Sequence, residues 1–232
     1  MANLTTIGFD ADDTLWQNEQ FYTLTRDRFV GLLSDHASAD DLANRLLDVQ
    51  RRTLKIYGFG IKGFTLSMIE TAIAVTDGRV DAATISQILD AGRDMLAHPV
   101  ETLPQVRETI EALVGRYRLL MITKGDLFDQ ERKLAASGLG ELFDGVEIVS
   151  EKTTATYERV FARYGDGPSR AMMVGNSLKS DVVPALEAGS WGVYVPHPLT
   201  WVIEHTDEPD GHARFRKIDA LGELMQVIEE IG

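Results

Sequence analysis

The sequence predicts an α/β protein whose core is a doubly wound parallel sheet, with a bundle of helices inserted after the first strand. A strand-like segment, "TIGFD", stands near the N-terminus and is followed over residues 16–103 by helical patterns alone. From residue 104 onward, helical segments alternate four times with short apolar runs. Continuous apolar runs of this kind are typical of strands that helices cover on both faces of a parallel sheet.

The inserted segment contains four stretches with helical periodicity. Apolar residues recur every three or four positions in "NEQFYTLTRDRFVGLLSDH" and again in "ADDLANRLLDVQRRTLKIY". The stretches "FTLSMIETAIAVTDG" and "VDAATISQILDAGRDMLAH" complete the set. Asp40 and Asp81 are the expected helix N-caps, and Gly78 is the expected end of the third helix. We therefore predict a four-helix bundle.

Each apolar run of the second half follows a helical segment. The predicted strands are "YRLLMITKG", "GVEIVS", "RAMMVGN" and "WGVYVP". The helices before them are "LPQVRETIEALVGR", "DLFDQERKLAASGLG", "TTATYERVFARYG" and "SDVVPALEAG". We assign residues 1–15 and 104–232 to one split core domain and residues 16–103 to the inserted helical domain.

Composition narrows the range of partners. Thirty-six acidic residues against 23 Lys and Arg give a formal charge of −13, which argues against nucleic acid or an anionic membrane as partner. There is no cysteine, so disulfides and thiolate chemistry are excluded. The N-terminal "MANLTTIGFD" lacks the pattern of a signal peptide. We expect a cytoplasmic monomer or homodimer that acts on a small molecule.

Polar residues stand at the ends of the predicted strands. In a doubly wound sheet, ligands bind at the carboxyl ends of the strands. Asp10 and Asp12 follow the first strand, and Lys152 follows the third. Thr123, Lys124 and Gly125 end the second strand, and Asn176 ends the fourth, with Asp181 close behind it. The sequence therefore places one candidate site at this edge of the sheet.

These residue types suit phosphate chemistry with a divalent cation. Alternation along an extended segment turns Asp10 and Asp12 to the same side and Asp13 away from them. Oxygen atoms of Asp10, Asn176 and Asp181 are ligands that Mg²⁺ accepts. Asp10 could then attack phosphorus, and a second carboxyl group two residues on could protonate the leaving oxygen and later activate water. The Lys152 ammonium and the Thr123 hydroxyl are suited to phosphate oxygens.

Four stretches, "GFDADDTL", "LLMITKG", "SEK" and "MMVGNSLKSD", resemble in order and spacing the four signature motifs of the haloacid dehalogenase superfamily. The resemblance covers residues 1–15 and roughly 104–200. The helical insert is similar to the cap that many members carry between the first two motifs. The resemblance implies a Rossmann-like core and an Mg²⁺-dependent phosphatase acting on a small phosphorylated metabolite.

The resemblance also implies roles for single residues. Asp10 would be the nucleophile and a metal ligand, and Asp12 would be the general acid and base with its carbonyl facing the metal. Thr123 and Lys152 would hold the phosphoryl group, and Asp181 would anchor the metal, directly or through water. The chain departs from the family pattern at Asn176, where an acid is common, so we expect a retained but more weakly bound metal.

Some alternatives stay open at this stage. A phosphomutase of the same family shares the first chemical step, and a haloacid dehalogenase-type hydrolase is disfavoured because those enzymes lack a carboxyl group at the position of Asp12. A weakly catalytic phosphate-binding protein is conceivable because of Asn176. Lys124, Gly125 and Lys62 are further candidate substrate contacts, Lys62 because it lies in a glycine-rich connection between two helices. The sequence does not name the substrate.

Overall fold

The computed structural model describes residues 4–231, which form two compact units. The first is an α/β unit that contains the chain up to Glu19, Val100–Lys124 and the chain from Gln130 onward. The second is a helical unit, Gln20–Pro99, to which Gly125–Asp129 also belongs.

The main segment of the helical unit is Gln20–Pro99, whereas the sequence predicted an insert from residue 16 to residue 103. The bounds therefore differ by four residues at each end. The two flanking segments pair with the loop after the first strand and with each other. The Leu103 N–H donates to the Leu15 carbonyl at 3.0 Å, and the Gln17 N–H donates to the Glu101 carbonyl at 2.9 Å. These backbone hydrogen bonds hold residues 16–19 and 100–103 in the α/β unit.

The helical unit is built from four helices that bury one apolar face each. They are α1 (Glu19–Leu32), α2 (Ala39–Tyr57), α3 (Ile61–Val75) and α4 (Ala82–Ala97). Their buried cluster includes Phe29, Leu33, Leu42, Leu46, Phe64, Met68 and Ile88. The helical periodicity of the insert therefore predicted its elements correctly.

One of the two predicted N-caps is wrong. Ser38, and not Asp40, caps α2, because its hydroxyl accepts the N–H of Asp41 at 3.3 Å. Asp40 lies in the first turn, where a negative charge favours the helix dipole. Asp81 caps α4 as predicted, accepting the N–H of Thr84 at 2.8 Å. Gly78 follows the end of α3 at a φ of 76°, where glycine carries no steric penalty.

The α/β unit contains a parallel sheet of six strands. The strands are β1 (Thr6–Phe9), β2 (Arg118–Lys124), β3 (Gly145–Val149), β4 (Ala171–Gly175), β5 (Trp191–Tyr194) and β6 (Phe215–Lys217). Their order is β3-β2-β1-β4-β5-β6, which is the doubly wound arrangement and confirms the predicted fold class. The edge strand β6 was not predicted, because three residues of mixed polarity carry no strand signal.

Helices cover both faces of this sheet. They are α5 (Val106–Leu113), α6 (Leu127–Ser137), α7 (Thr154–Tyr164), α8 (Val183–Glu187) and α9 (Leu224–Ile231). Successive residues of β2 point to opposite faces, so Met121 packs in the cluster formed with α5 and α9, and Ile122 packs in the cluster formed with α7. Within the described part of the chain, no helix is long and apolar enough to cross a membrane.

Candidate active site

Three charged residues meet at the carboxyl edge of the α/β unit. Phe9, the last residue of β1, pairs with Val174 of β4, so Asp10 lies beside the segment that carries Asp181. Lys152, after β3, donates to Asp10 Oδ1 and, at 2.6 Å, to Asp181 Oδ1. The Lys152 side chain is only 1% exposed. The sequence-based grouping of these three residues is thus observed in the structure.

With both carboxylates ionised, the cluster of Asp10, Lys152 and Asp181 has one more negative than positive charge. Burial raises the pKa of Asp10 to about 7, with Asp181 adding to the rise and Lys152 opposing it. Burial alone would lower the pKa of Lys152, but the two carboxylates outweigh it and hold that pKa above its usual value. Lys152 is therefore an ammonium. The remaining negative charge is the kind that a bound cation compensates.

Oxygen ligands for such a cation converge on the other side of Asp10. The side-chain amide of Asn176 lies 3.2 Å from Asp10 Oδ2 and 3.2 Å from the main-chain oxygen of Asp12. The amide can turn its N–H groups to these two oxygens or present its own oxygen beside them. An octahedral Mg²⁺ with ligands at about 2.1 Å places neighbouring ligand oxygens about 3 Å apart. The spacing and the chemistry of this donor set fit Mg²⁺.

Few of these oxygens come from carboxylates. Among residues 4–231 there is no group of three or more His, Cys, Asp or Glu side chains arranged to hold a metal ion. The set that converges here consists of a carboxylate, a main-chain carbonyl and an amide, with Asp181 joined to it through Lys152. Compared with an acid at the same position, Asn176 gives this ligand set less negative charge and still offers it an oxygen atom.

Asp181 lies in a π-helical turn over Leu178–Val182. Its Oδ2 accepts the N–H of Ser177 at 2.9 Å, which leaves Oδ1 to accept from Lys152. A side chain at Gly175 could not be accommodated, because a Cβ there would lie 2.3 Å from Asp181 Oδ2. Isolated π-helical turns are frequent at functional sites, and this one turns the carboxylate back over the end of β4.

The Asp12 side chain is held by three donors. Its Oδ1 accepts from Trp16 Nε1 at 2.7 Å and from Lys133 Nζ at 3.0 Å, and its Oδ2 accepts from Gln130 Nε2 at 3.1 Å. Sequence reasoning missed Lys133 and Gln130, which lie on the amphipathic helix α6. It also gave no sign that Trp16 would donate to Asp12.

Asp13 points away from Asp10, as alternation predicted. Its carboxylate accepts the N–H groups of Asn18 at 2.8 Å and Glu19 at 3.0 Å, and its φ of 60° is unusual for a residue with a side chain. Burial raises the pKa of Asp13 to about 7. His197 Nε2 lies 3.7 Å from this carboxylate, a neighbour that the sequence did not indicate. Asp13 thus fixes the backbone at the end of the loop after β1.

Thr123 ends buried strand β2 and lies next to the same network. Its hydroxyl accepts from Gln130 Nε2 at 2.7 Å and donates to the Lys124 carbonyl at 3.2 Å. Gly125 follows at a φ of 137°, a conformation that favours glycine where the chain turns out of the strand. Thr123 is therefore placed at the strand end that was predicted to bind phosphate.

Neither of the other two lysines predicted to bind substrate presents an unpaired charge. Lys124 Nζ donates to Glu204 Oε1 at 2.8 Å and to Ser180 Oγ at 2.7 Å, and its side chain is 12% exposed. Lys62 lies in the first turn of α3 and not in the connection before it, so its predicted location is wrong, and its ammonium pairs with Asp126 at 2.9 Å. Both lysines could contact substrate only by sharing or giving up these partners.

Glu204 joins the long loop after β5 to the end of β2. Its Oε2 accepts the hydroxyl of Ser177 at 2.7 Å and also that of Ser180. Burial alone would raise the pKa of Glu204, but Lys124 and the two hydroxyls outweigh it and lower that pKa to about 2. A carboxylate with a lowered pKa stabilises the fold above its unfolded pKa of 4.5, and this stabilisation is lost as the pH falls towards 2.

We expect Glu204→Gln to destabilise the protein by about 2–3 kcal/mol at pH 7, because Lys124 would lose its counter-ion while mostly buried. Urea unfolding measures this change, and the deficit relative to the wild type should shrink between pH 4.5 and 2. The double variant Lys124→Met/Glu204→Met serves as control and should be more stable than Glu204→Gln, since it leaves no unpaired charge. Equal stability of wild type and Glu204→Gln at pH 7 would show that the pair does not anchor this loop.

A doubly wound parallel sheet with charged residues clustered at its carboxyl edge is typical of a class of enzymes with a Rossmann-like core. The chain belongs to the haloacid dehalogenase-like hydrolases, whose family model matches residues 4–189. A solved haloacid dehalogenase-like family hydrolase from Xanthomonas campestris is 43% identical, covering 98% of this chain and 91% of that chain with a TM-score of 0.87.

Two curated relatives are similar to this chain over nearly its whole length. The pyrimidine 5′-nucleotidase YjjG of Escherichia coli (strain K12) is 24% identical, with 96% of each chain covered. The glyceraldehyde 3-phosphate phosphatase of Methanothermobacter thermautotrophicus is also 24% identical, with 97% of this chain and 100% of the relative covered. The chain is therefore a hydrolase of this family.

Proposed function

We propose that the chain is an Mg²⁺-dependent phosphatase that hydrolyses a small phosphorylated metabolite through an aspartyl-phosphate on Asp10. The observation that carries the proposal is the buried contact of Lys152 with Asp10 and Asp181. A buried ammonium next to a buried carboxylate offers a phosphoryl group a cation and a nucleophile in one place.

Four residues would hold the metal. They are Asp10 through Oδ2, Asp12 through its main-chain oxygen, and Asn176 through its side-chain oxygen, with Asp181 binding directly or through water. Bound Mg²⁺ supplies positive charge that offsets the repulsion between phosphate and carboxylates. The other oxygen of Asp10, Oδ1, accepts a hydrogen bond from Lys152 and would be the attacking atom.

In the first step, Asp10 Oδ1 forms a bond to phosphorus while the ester P–O bond breaks. The leaving alkoxide oxygen takes a proton from the protonated carboxyl group of Asp12, and the alcohol departs. Lys152 and Thr123 hold the phosphoryl oxygens through charge-assisted and neutral hydrogen bonds. The products of this step are the free alcohol, the aspartyl-phosphate and an ionised Asp12.

In the second step, Asp12 accepts a proton from a water molecule that attacks phosphorus. The bond between phosphorus and Asp10 Oδ1 breaks, inorganic phosphate leaves, and both aspartates return to their starting protonation states. The same carboxyl group thus serves as acid and then as base. A halide leaving group needs no proton, so the presence of Asp12 favours phosphate esters over haloacids.

The named activities of the two curated relatives support the substrate class. One is named for a nucleotidase activity and the other for a triose phosphate phosphatase activity. Both names describe hydrolysis of a phosphorylated small molecule. With a net charge of −13, this chain would rely on the metal and Lys152 to attract such an anion.

The test is hydrolysis of p-nitrophenyl phosphate with Mg²⁺ and with EDTA. We expect turnover only with Mg²⁺, recovery when Mg²⁺ is restored, and one inorganic phosphate released for each p-nitrophenol. Turnover that persists unchanged in EDTA would contradict the metal dependence. A panel of pyrimidine nucleotides and triose and hexose phosphates then compares substrates, and transfer of phosphate within a sugar, without its release, would indicate a mutase instead.

A further inference from the structure

We infer that Lys133 and Gln130 on α6 are positioning residues that hold the Asp12 carboxyl group for proton transfer. The inference rests on the proposed function, because it assigns these residues to the step in which Asp12 acts. No motif of the sequence indicated either residue. Three observations support it: their shared face on α6, their contacts with Asp12, and their burial.

The two side chains approach Asp12 from one face of α6. Residues three apart on a helix are neighbours on its surface, so Gln130 and Lys133 lie side by side. Lys133 reaches Asp12 Oδ1 at 3.0 Å and Gln130 reaches Asp12 Oδ2 at 3.1 Å. Each carboxylate oxygen therefore has its own donor from the same helix. Such a pair of contacts fixes the plane of the carboxyl group as well as its position.

Lys133 ties both ends of the loop after β1 together. Its ammonium donates to Asp12 Oδ1 and to Asn18 Oδ1, the second at 2.9 Å, and the residue is only 8% exposed. Taking an ammonium out of water is unfavourable unless negative and polar partners compensate. Removing Lys133 would leave Asp12 Oδ1 with the Trp16 N–H but without this ammonium, so the carboxyl group would be held less firmly.

Gln130 joins Asp12 to the end of β2. Its Nε2 shares two N–H groups among three acceptors, which are Asp12 Oδ2, Thr123 Oγ1 at 2.7 Å and the Lys124 carbonyl at 3.0 Å. The residue is 1% exposed, and its Oε1 has no hydrogen-bond partner among the described residues. A buried oxygen without a partner costs about 1–3 kcal/mol. The contacts of Nε2 with Asp12, Thr123 and Lys124 offset that cost, so the amide group of Gln130 is retained for the acceptors that it joins.

A residue that acts through Asp12 has an effect that depends on the leaving group. Phenyl phosphate releases a basic oxygen that needs a proton in the transition state, whereas 2,4-dinitrophenyl phosphate releases a stable anion that does not. A misplaced Asp12 therefore slows the first substrate and spares the second. Damage to the scaffold or to phosphate binding slows both.

The experiment compares kcat/KM for these two substrates at saturating Mg²⁺ in Lys133→Met, Lys133→Gln and Gln130→Met. We expect a loss of about 10- to 100-fold on phenyl phosphate and no more than about threefold on 2,4-dinitrophenyl phosphate in Lys133→Met and Gln130→Met. Lys133→Gln should recover part of the loss, since it retains a donor. Lys55→Met, the same change at an exposed lysine of α2, should match the wild type on both substrates.

Asp12→Asn in the same assay separates the two proposals. If Asp12→Asn shows the leaving-group dependence and all three α6 variants lose activity evenly or not at all, the inference is overturned and the proposed function stands. If Asp12→Asn itself loses activity evenly on both substrates, the proposed function fails and the inference falls with it. Should Lys133→Met not fold, as judged by circular dichroism, Lys133→Gln and Gln130→Met decide the outcome.

Discussion

Replacing Asp10 by asparagine is expected to abolish turnover of p-nitrophenyl phosphate, by at least about 10⁴-fold, or about 5.5 kcal/mol of transition-state stabilisation. A carboxamide is a poor nucleophile. Among residues 4–231, Asp181 is the one other carboxylate that contacts Lys152, and its second oxygen accepts the N–H of Ser177. The substitution keeps the shape of the side chain. It also removes a negative charge from a cluster that has one in excess, so the variant should fold at least as well as the wild type.

Initial rates at saturating Mg²⁺ measure the loss, and thermal unfolding checks the fold. Asp27→Asn makes the same change at an exposed position of α1 and should keep full activity. Acid quenching followed by intact-mass analysis should detect a phosphoryl adduct on the wild type and none on Asp10→Asn. Near-normal turnover in Asp10→Asn would rule out the aspartyl-phosphate route proposed for this chain.

The sequence predicted the site residues that directly follow buried strands. It did not predict the residues whose side chains connect elements distant in the chain. Asp10, Lys152 and Asp181 follow apolar runs, and the rule that parallel strands bind ligands at their carboxyl ends brings them together. That inference needs only the strand positions. It does not depend on the register, or on any side chain outside the motifs.

Partners on other elements could not be predicted in the same way. The Lys124–Glu204 ion pair joins residues 80 positions apart, and Glu204 lies in a loop that has no periodic pattern. Lys133 and Gln130 fall among the polar residues of an amphipathic helix, which the sequence alone assigns to solvent. Only the packing of α6 against the loop after β1 brings Lys133 and Gln130 to Asp12.

Element bounds were less accurate for a related reason. Ser38 and Asp40 are both good N-cap residues, and the choice between them depends on which side chain meets a free N–H group. Residues 16–17 and 100–103 have no strand or helix pattern, yet their backbone pairing keeps them in the α/β unit. These contacts are local in space but distant in sequence.

Lys152→Met is expected to remove activity and to make the fold depend on Mg²⁺. Without the ammonium, Asp10 and Asp181 face each other while buried, and breaking a buried ion pair on one side destabilises a protein by about 3–5 kcal/mol. The phosphoryl group also loses its cation, so we expect kcat/KM to fall by at least about 10³-fold, as when a main electrostatic contact of a transition state is removed.

The same substitution should strengthen the attraction of the site for Mg²⁺, because a neighbouring positive charge is lost and the two carboxylates need compensation. Thermal unfolding in EDTA and in Mg²⁺ measures this, since a ligand that binds only the folded state raises the unfolding temperature, and the rise grows with the logarithm of its affinity. The rise on adding Mg²⁺ should be larger for Lys152→Met than for the wild type and for Lys55→Met. If the rise is equal or smaller, Lys152 does not share an electrostatic field with the metal ligands, and the compensation argument for this site fails.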